Sequence, residues 1–265
     1  MMYQCLIKKD IQRGLSTEVI GKKIVVYKEV DSTNRRAIEL AEKGEDEGTV
    51  IISETQSKGR GRLGRSWLSP LEVGIYLSII LRPKIPPKES FLIVFLTGIA
   101  VIESIKKVTS LSPTLKWPND ILVNDKKIGG ILIEMKSKKD KIDYLVDGIG
   151  VNVNTDTSLF PKEIQEKSTS LKKVIGKDID RNRLIKKILY FFEKWYLEYI
   201  NKGKDKILRE YHKYANITGR LVRVNELKRS IEGTVIGINE NGLLLLKVNN
   251  KIEKISSGDI TFIDK

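Results

Sequence analysis

The segment from Phe91 to Val108 is apolar on nearly every side, which restricts how this chain can fold. A surface helix carries its apolar residues on one stripe, so a helix that is apolar all round has to be buried. Its apolar stretch ends at Glu103 after about 12 residues, well short of the ~20 that a bilayer-spanning helix needs. The sequence therefore predicts a soluble protein in which this helix is covered by other elements.

Short β-branched segments on both sides of this helix predict strands. They lie at residues 24–27, 49–53, 73–81, 115–117, 121–123, 128–135 and 144–153. A capped helix is predicted between Asp31 and Gly44, and apolar residues at helical spacing predict two more at Arg181–Ile200 and Asp205–Tyr214. Several strands are neighbours in sequence, so we expect an α+β domain with a mixed sheet and packed helices.

From residue 217 onwards the pattern changes to short strands alone. They are predicted at residues 221–224, 231–238, 243–248, 252–255 and 260–263, with turn residues between them. About 49 residues of meandering strands predict a small β-barrel. We therefore divide the chain into a main domain, residues 1–216, and a barrel domain, residues 217–265.

The net charge of +14 leaves nucleic-acid binding open as a function. However, the barrel has only 8 Lys+Arg against 6 Asp+Glu, so it is no electrostatic clamp. The first 20 residues form a short polar lead, expected to be flexible, that cannot hold a helix-turn-helix domain. The single cysteine, Cys5, excludes an internal disulfide and a cysteine-based zinc site. Since the lead has no secretion signal, a cytoplasmic location is expected.

The loop Gly59–Gly64 has the glycine spacing of a dinucleotide-binding loop, but it leads into a predicted strand rather than the required helix. Lys58, Arg60, Arg62 and Arg65 lie in or beside it with no acid between them. Guanidinium groups and glycine backbone N–H groups bind carboxylate and phosphate oxygens well. The loop therefore favours an anion site, and a solvated basic turn or a nucleic-acid-contacting arm is the alternative.

A second polar group is Lys116–Asp120, where a strand gives way to a turn fixed by proline. Lys116 at the strand end can stabilise a phosphate or a developing negative charge, or it can be an ordinary lysine beside a structural turn. Ser32, Thr33 and Asn34 have a similar double interpretation. They can cap the following helix or bind a polar ligand.

Five segments, in order along the chain, resemble those of biotin protein ligases. They are Glu29–Asn34, Thr55–Trp67, Lys116–Asp120, Lys127–Glu134 and Gly148–Asn154. The resemblance implies a class II synthetase-like catalytic domain with an SH3-like barrel after it. It implies that biotin reacts with ATP, with Mg²⁺, to give biotinyl-5′-AMP, and that a lysine of a biotin carboxyl carrier protein then takes the biotinyl group. A monofunctional form without DNA binding, able to form a homodimer, is expected.

The resemblance also implies roles for individual residues. The biotin-binding set is Ser32, Thr33, Asn34, Gln56, Arg60, Gly61, Arg62, Lys116, Gly148 and Gly150. The ATP-binding set is Arg62, Arg65, Trp67, Lys116, Asn119 and Asn152. Lys116 and Arg62 are expected to be catalytic, and the arginine loop is expected to order when ligand binds. The metal ligands and the adenine-stacking residue stay unassigned.

The closest alternative is a lipoate ligase or octanoyl transferase, which shares the catalytic fold. Cys5 in the lead is a poor nucleophile for acyl transfer, and the arginine loop favours biotin. A basic nucleic-acid-binding protein is the alternative from a different class. Pyrophosphate exchange with biotin or lipoate, and salt-sensitive DNA binding, separate the three.

Overall fold

The computed structural model describes residues 5–215, 217–226 and 229–263. Within them the helices are α1 Lys8–Gln12, α2 Thr33–Glu42, α3 Phe91–Thr109, α4 Lys162–Gln165, α5 Leu171–Ile175, α6 Arg181–Lys202 and α7 Asp205–Ala215. The strands of the main domain are β1 Ile24–Val30, β2 Val50–Gln56, β3 Ile75–Leu81, β4 Thr114–Lys116, β5 Asp120–Val123, β6 Lys126–Lys138 and β7 Lys141–Val151. Those of the barrel are β8 Leu221–Asn225, β9 Ser230–Ile238, β10 Leu244–Val248, β11 Lys251–Ile255 and β12 Asp259–Phe262.

The main domain is built on one mixed sheet, as predicted. Its strand order is β1-β2-β3-β7-β6-β5-β4, with β1 and β2 parallel and the other pairs antiparallel. Helix α3 is buried over most of its length and packs between this sheet and helices α6 and α7. Helix α2 packs against β2, β3 and β7 and belongs to a separate apolar cluster. The predicted buried helix is thus confirmed as the centre of one helical layer.

Alternation along the strands decides which residues face the α2 side. On β3 and β7, Leu77 and Ile149 belong to the cluster around α3, whereas Ser78 and Gly148 face the other way. Because Ser78 pairs with Gly148 across the two strands, a polar strip forms on the α2 side of the sheet. This strip carries the functional site described below.

The expectation of a flexible polar lead is wrong. Leu6, Ile11 and Ile20 are buried in the main core, and α1 packs against α6. The carboxylate of Glu193 on α6 accepts backbone hydrogen bonds from residues 18, 19 and 20 at 2.6–2.7 Å. Three isolated apolar residues carry no local periodicity, so only their tertiary partners reveal that the lead is packed.

The barrel is an antiparallel sheet in the order β11-β10-β9-β8-β12, which confirms the predicted run of short strands. It is attached to the main domain through the turn after β9. The indole Nε1 of Trp117 donates a hydrogen bond of 3.0 Å to the carbonyl of Gly242, and both partners are buried there. A Cβ at Gly242 would lie 2.6 Å from the ring of Phe91, so the close approach requires glycine. Within the described residues, no helix has both the length and the apolar character to cross a membrane.

A carboxyl group is buried between the sheet and α3. Asp147 on β7 lies opposite Thr97, whose Oγ1 is 2.6 Å from Oδ2 of the acid and 2.7 Å from the carbonyl of Ile93. The other carboxyl oxygen, Oδ1, has no hydrogen-bond partner among the described residues. Burial raises the pKa of Asp147 to about 8, and the Thr97 hydrogen bond opposes that rise. Burial therefore favours the protonated form of Asp147 at neutral pH.

Asp147→Asn is expected to flatten the pH dependence of stability. The folded-state pKa of Asp147 is raised above the unfolded value, so the folded state holds its proton more tightly. The contribution of Asp147 to the free energy of unfolding is therefore greatest below about pH 4 and decreases as pH rises towards about 8. The asparagine variant lacks this loss, so urea unfolding should find it more stable than wild type at pH 8.5 and not at pH 5. An identical pH slope in both proteins would contradict the prediction.

Candidate functional site

A cavity opens on the α2 side of the sheet, between the start of α2, the arginine loop, β6, β7 and the barrel. Its walls contain all but two of the residues predicted from the sequence. Those present are Ser32, Thr33, Asn34, Gln56, Arg60, Gly61, Arg62, Arg65, Trp67, Asn119, Gly148 and Gly150. Lys116 and Asn152 are the two outside the cavity wall, whereas Lys127 and Asp259 line it without having been predicted as site residues.

One end of the cavity is lined by neutral polar side chains, and the Asn34 amide there also donates to Oε2 of Glu134 at 3.0 Å, the acid that pairs with Arg60. Thr33 donates from its N–H and its hydroxyl to Oε1 of Gln56, at 2.8 and 3.1 Å. Ser78 donates to Oδ1 of Asn34 at 2.6 Å, while the Asn34 amide donates to the carbonyl of Leu132 at 3.1 Å. These bonds fix the direction of each amide and hydroxyl before a ligand arrives.

Ser32 lies at the start of α2 and does not cap the helix through its side chain. Ser32 occupies the N-cap of α2 but makes no side-chain cap hydrogen bond, although it is buried. The capping interpretation of this segment therefore does not account for Ser32, and its hydroxyl lines the cavity instead. Ser78, which supports Asn34 from β3, was missed by sequence reasoning. Its only signal was a polar residue inside the apolar strand Ile75–Leu81.

A glycine makes this packing feasible. A Cβ on Gly148 would lie 2.0 Å from Oδ1 of Asn34, so any larger residue would displace the amide. Across the strands, Gly150 and Gly130 make the same allowance for Trp67, whose ring atoms would lie 2.6 and 3.2 Å from a Cβ at these positions. The indole of Trp67 therefore packs closely on these two glycines, and its Nε1 is buried without a hydrogen-bond partner among the described residues.

The arginine loop, residues 58–66, is folded over the cavity. The N–H of Gly61 donates to the carbonyl of Arg65 at 2.7 Å, and a 3₁₀ turn spans Arg62–Gly64 between them. Arg62 donates to Oδ1 of Asn119 at 3.1 Å, which ties the loop to the turn predicted as the second polar group. Burial lowers the pKa of Arg62, and the nearby Asp259 and Asp120 oppose this effect. That the loop orders on ligand binding stays a prediction.

Lys127 lies at the cationic end of the cavity. Its Nζ is 2.6 Å from Oδ1 of Asp120 and 5.5 Å from the centre of the Trp67 ring. The sequence signal for it was present, since Lys127 begins a segment that resembles the biotin ligases, but no role was assigned to it. With Arg60, Arg62 and Arg65 it forms a cluster of cations that suits a multiply charged anion.

The two predicted residues outside the cavity wall have other surroundings. Lys116 lies with its Nζ 5.9 Å from the ring of Phe262 on the barrel strand β12, and burial lowers its pKa. Asn152 donates from Nδ2 to the carbonyl of Thr169 at 3.2 Å, and its buried Oδ1 has no partner among the described residues. Neither is among the residues that line the cavity, although the charges of Asp120, Lys127 and Asp259 in the wall are close enough to affect the pKa of Lys116. The predicted roles of Lys116 and Asn152 stay predictions.

Two family patterns and several known proteins match this chain. The Biotin/lipoate A/B protein ligase family pattern matches residues 26–152, and the Biotin protein ligase C terminal domain matches residues 217–262. The bifunctional ligase/repressor BirA of Bacillus subtilis is 38% identical over 96% of this chain and 78% of its own length. The biotin–[acetyl-CoA-carboxylase] ligase of Mycobacterium tuberculosis is 30% identical over 95% of both chains. A solved structure, the biotin protein ligase from Aquifex aeolicus in complex with biotin and ATP, has a TM-score of 0.78, with 33% identity over 92% of this chain and 100% of that one.

Proposed function

Because the chain belongs to the biotin protein ligase family, we propose that it activates biotin with ATP and transfers the biotinyl group to a lysine of a biotin carboxyl carrier protein. In the first step a biotin carboxylate oxygen attacks the α-phosphorus of ATP, and pyrophosphate leaves. In the second, the carrier lysine amine attacks the acyl carbon of biotinyl-5′-AMP. AMP leaves with the electron pair of the broken bond, and the amine loses a proton.

The observation that carries this proposal is the polarity of the cavity from end to end. Ser32, Thr33 and Asn34 offer neutral donors and acceptors at one end, which suit the uncharged ureido ring of biotin. Arg62 and Lys127 supply cations at the other end, where a carboxylate has to approach a phosphate. A neutral ring at one end and two anionic groups at the other match biotin and ATP together.

We assign the central cation to Lys127 rather than to Lys116. Lys127 lines the cavity beside Trp67, whereas Lys116 lies outside the wall against Phe262. A fixed ammonium group between the carboxylate and the α-phosphate offsets their repulsion and stabilises the charge of the transition state. The ion pair with Asp120 at 2.6 Å holds Lys127 in place before substrate binds.

Mg²⁺ is proposed to enter as part of MgATP. Two carboxylates, Asp120 and Asp259, line the cavity. Among the described residues no cluster of three or more metal-binding side chains occurs. Mg²⁺ commonly keeps several waters and is bound through substrate phosphates, so neither acid, each paired with a cation of the wall, has to leave its partner in order to hold it.

We also propose the larger-scale assignments made from the sequence. Residues 1–216 would form the biotin- and ATP-binding domain and residues 217–265 the barrel domain. A homodimer would use the outer edge of β6 beyond Gly130, where no strand pairs with it within the described part of the chain. Sedimentation velocity of the ligand-free and biotin-bound protein tests the dimer. A monomer at all concentrations would contradict it.

Exchange of radiolabelled pyrophosphate into ATP tests the proposed function directly. We expect exchange that requires both Mg²⁺ and biotin, followed by biotin transfer to an added carrier domain. Exchange that depends on lipoate and ignores biotin would make the chain a lipoate ligase. Salt-sensitive DNA binding without any exchange would support the nucleic-acid alternative.

Gly148→Ala is expected to weaken biotin binding selectively. The new Cβ would displace Asn34 and break its hydrogen bond with Ser78, so the KM for biotin should rise about tenfold or more. The KM for ATP should change little. Val151→Ala is the control, because this buried residue lies on the same strand but on the α3 side. It should lower thermal stability while leaving the KM for biotin unchanged.

A further inference from the structure

One barrel residue among those described lines the cavity, and it is an acid. Asp259 begins strand β12, and its carboxylate is paired with the guanidinium of Arg65 in the arginine loop. A negative group is unexpected in a wall that has to receive a triphosphate. The pairing links the barrel domain to the loop that covers the site of the main domain.

Each loop arginine has an acceptor on a different part of the fold. Arg60 is 2.9 Å from Glu134 on β6, and Arg62 donates to Asn119. These two acceptors belong to the main domain, whereas Asp259 belongs to the barrel. Among these three contacts, the Arg65 contact therefore involves the barrel domain, and the other two do not.

The position of Arg65 also determines the direction of Arg62. The carbonyl of Arg65 accepts the hydrogen bond from Gly61, and this bond closes the turn that carries Arg62. Leu63 within that turn has a φ of 54°, a left-handed conformation that a leucine adopts only when its surroundings hold it there. A contact that holds Arg65 therefore holds Arg62 over the cavity as well.

The barrel does not need Asp259 in order to stay attached. The Trp117–Gly242 hydrogen bond and the packing of Gly242 on Phe91 fix it through buried contacts. The Arg65–Asp259 pair is partly exposed, with 63% and 37% of the side chains accessible, and such pairs contribute little to stability. Its effect is therefore on the position of the loop rather than on the fold.

We propose that Asp259 is a positioning residue: its carboxylate holds Arg65, and through it the turn that carries Arg62, over the cavity before the nucleotide binds. Nucleotide affinity then depends on the barrel, because Arg62 and Arg65 both line the cavity and belong to the proposed ATP-binding set. The part that concerns the nucleotide rests on the proposed function. The part that concerns the loop does not.

Limited trypsin digestion of the ligand-free, full-length protein tests the loop directly. Trypsin cleaves after lysine and arginine, so nicking after residues 58, 60, 62 and 65 reports how often the loop opens. Asp259→Asn should be nicked there about fivefold faster or more than wild type, and Asp259→Glu should restore the slow rate. Nicking at the wild-type rate in Asp259→Asn would overturn the proposal.

Glu253→Gln is the matched control. Glu253 lies in the same barrel and pairs with Arg229 at 3.3 Å, away from the cavity, so its loss should leave nicking unchanged. If Asp259→Asn fails to fold, Arg65→Gln removes the same pair from the loop side. That variant should show the same acceleration after Arg62, and a wild-type rate in it would equally contradict the proposal.

Kinetics test the consequence for the reaction. In pyrophosphate exchange, Asp259→Asn should raise the KM for ATP about tenfold. In an Arg65→Gln background the same substitution should have no further effect, because Asp259 acts through Arg65. Additive effects would overturn the proposal. If wild-type protein shows no exchange, the proposed function fails, and the digestion result still decides whether Asp259 holds the loop.

Discussion

Lys127→Ala is expected to slow biotin-dependent pyrophosphate exchange by about 100- to 1,000-fold, the range found when one fixed group that stabilises a developing charge is removed. Lys127 is the lysine of the cavity wall, held by Asp120 at 2.6 Å and lying beside Trp67. Its loss leaves the repulsion between the biotin carboxylate and the α-phosphate uncompensated. The main effect should be on kcat, because the cation is needed most in the transition state.

Lys116→Ala is the matched comparison, since it removes a second lysine from the same region. Lys116 lies outside the cavity wall, so we expect a smaller loss of about tenfold or less, and mainly in the KM for ATP. Lys127→Arg should recover part of the lost rate because it keeps the charge. A large loss in Lys116→Ala with a mild one in Lys127→Ala would return the catalytic role to the residue predicted from the sequence.

Arg181→Ala is expected to destabilise the protein by about 3–5 kcal/mol, because it breaks a buried ion pair and leaves a buried charge without its partner. Arg181 at the start of α6 is 1% exposed and lies 2.6 Å from Glu54 on β2, whose side chain is 7% exposed. Arg181 also donates to the carbonyl of Gly74 at 3.1 Å. In the variant, the N–H of Leu6, at 2.5 Å, remains as a donor to Glu54.

Urea unfolding at pH 7 measures this effect. Arg13→Ala is the control, because Arg13 forms an exposed pair with Asp10 and its loss should cost about 0–1 kcal/mol. The double variant Glu54→Leu with Arg181→Met should recover most of the stability, since it replaces both buried charges with apolar groups. If Arg181→Ala unfolds at the same urea concentration as Arg13→Ala, the buried Arg181–Glu54 ion pair does not stabilise the folded protein as predicted.

Helices and strands with a clear hydrophobic periodicity could be predicted from the local sequence. The apolar run of α3, the strand segments around it and the turn-rich barrel strands are visible because their periodicity reports burial directly. Most of the predicted site residues also line the cavity, because they lie in short polar segments with unusual glycine and arginine content. Their roles stay predictions. The packing of the lead was not, because Leu6 and Ile11 are buried by α6, which follows about 170 residues later in the chain.

The sequence by itself determined the family, the two kinds of domain and the polar and basic segments that form the cavity, because each depends on residues close together in the chain. The tertiary structure decided that Lys127 lines the cavity, that Ser78 supports Asn34, and that Asp259 of the barrel meets Arg65 of the loop. Lys116 and Lys127 are equally basic and lie in equally distinctive segments. The fold of β4, β5 and β6 places Lys127 in the cavity wall and the ammonium of Lys116 near the ring of Phe262. The direction of a side chain depends on strand register and on tertiary neighbours, and local sequence contains neither.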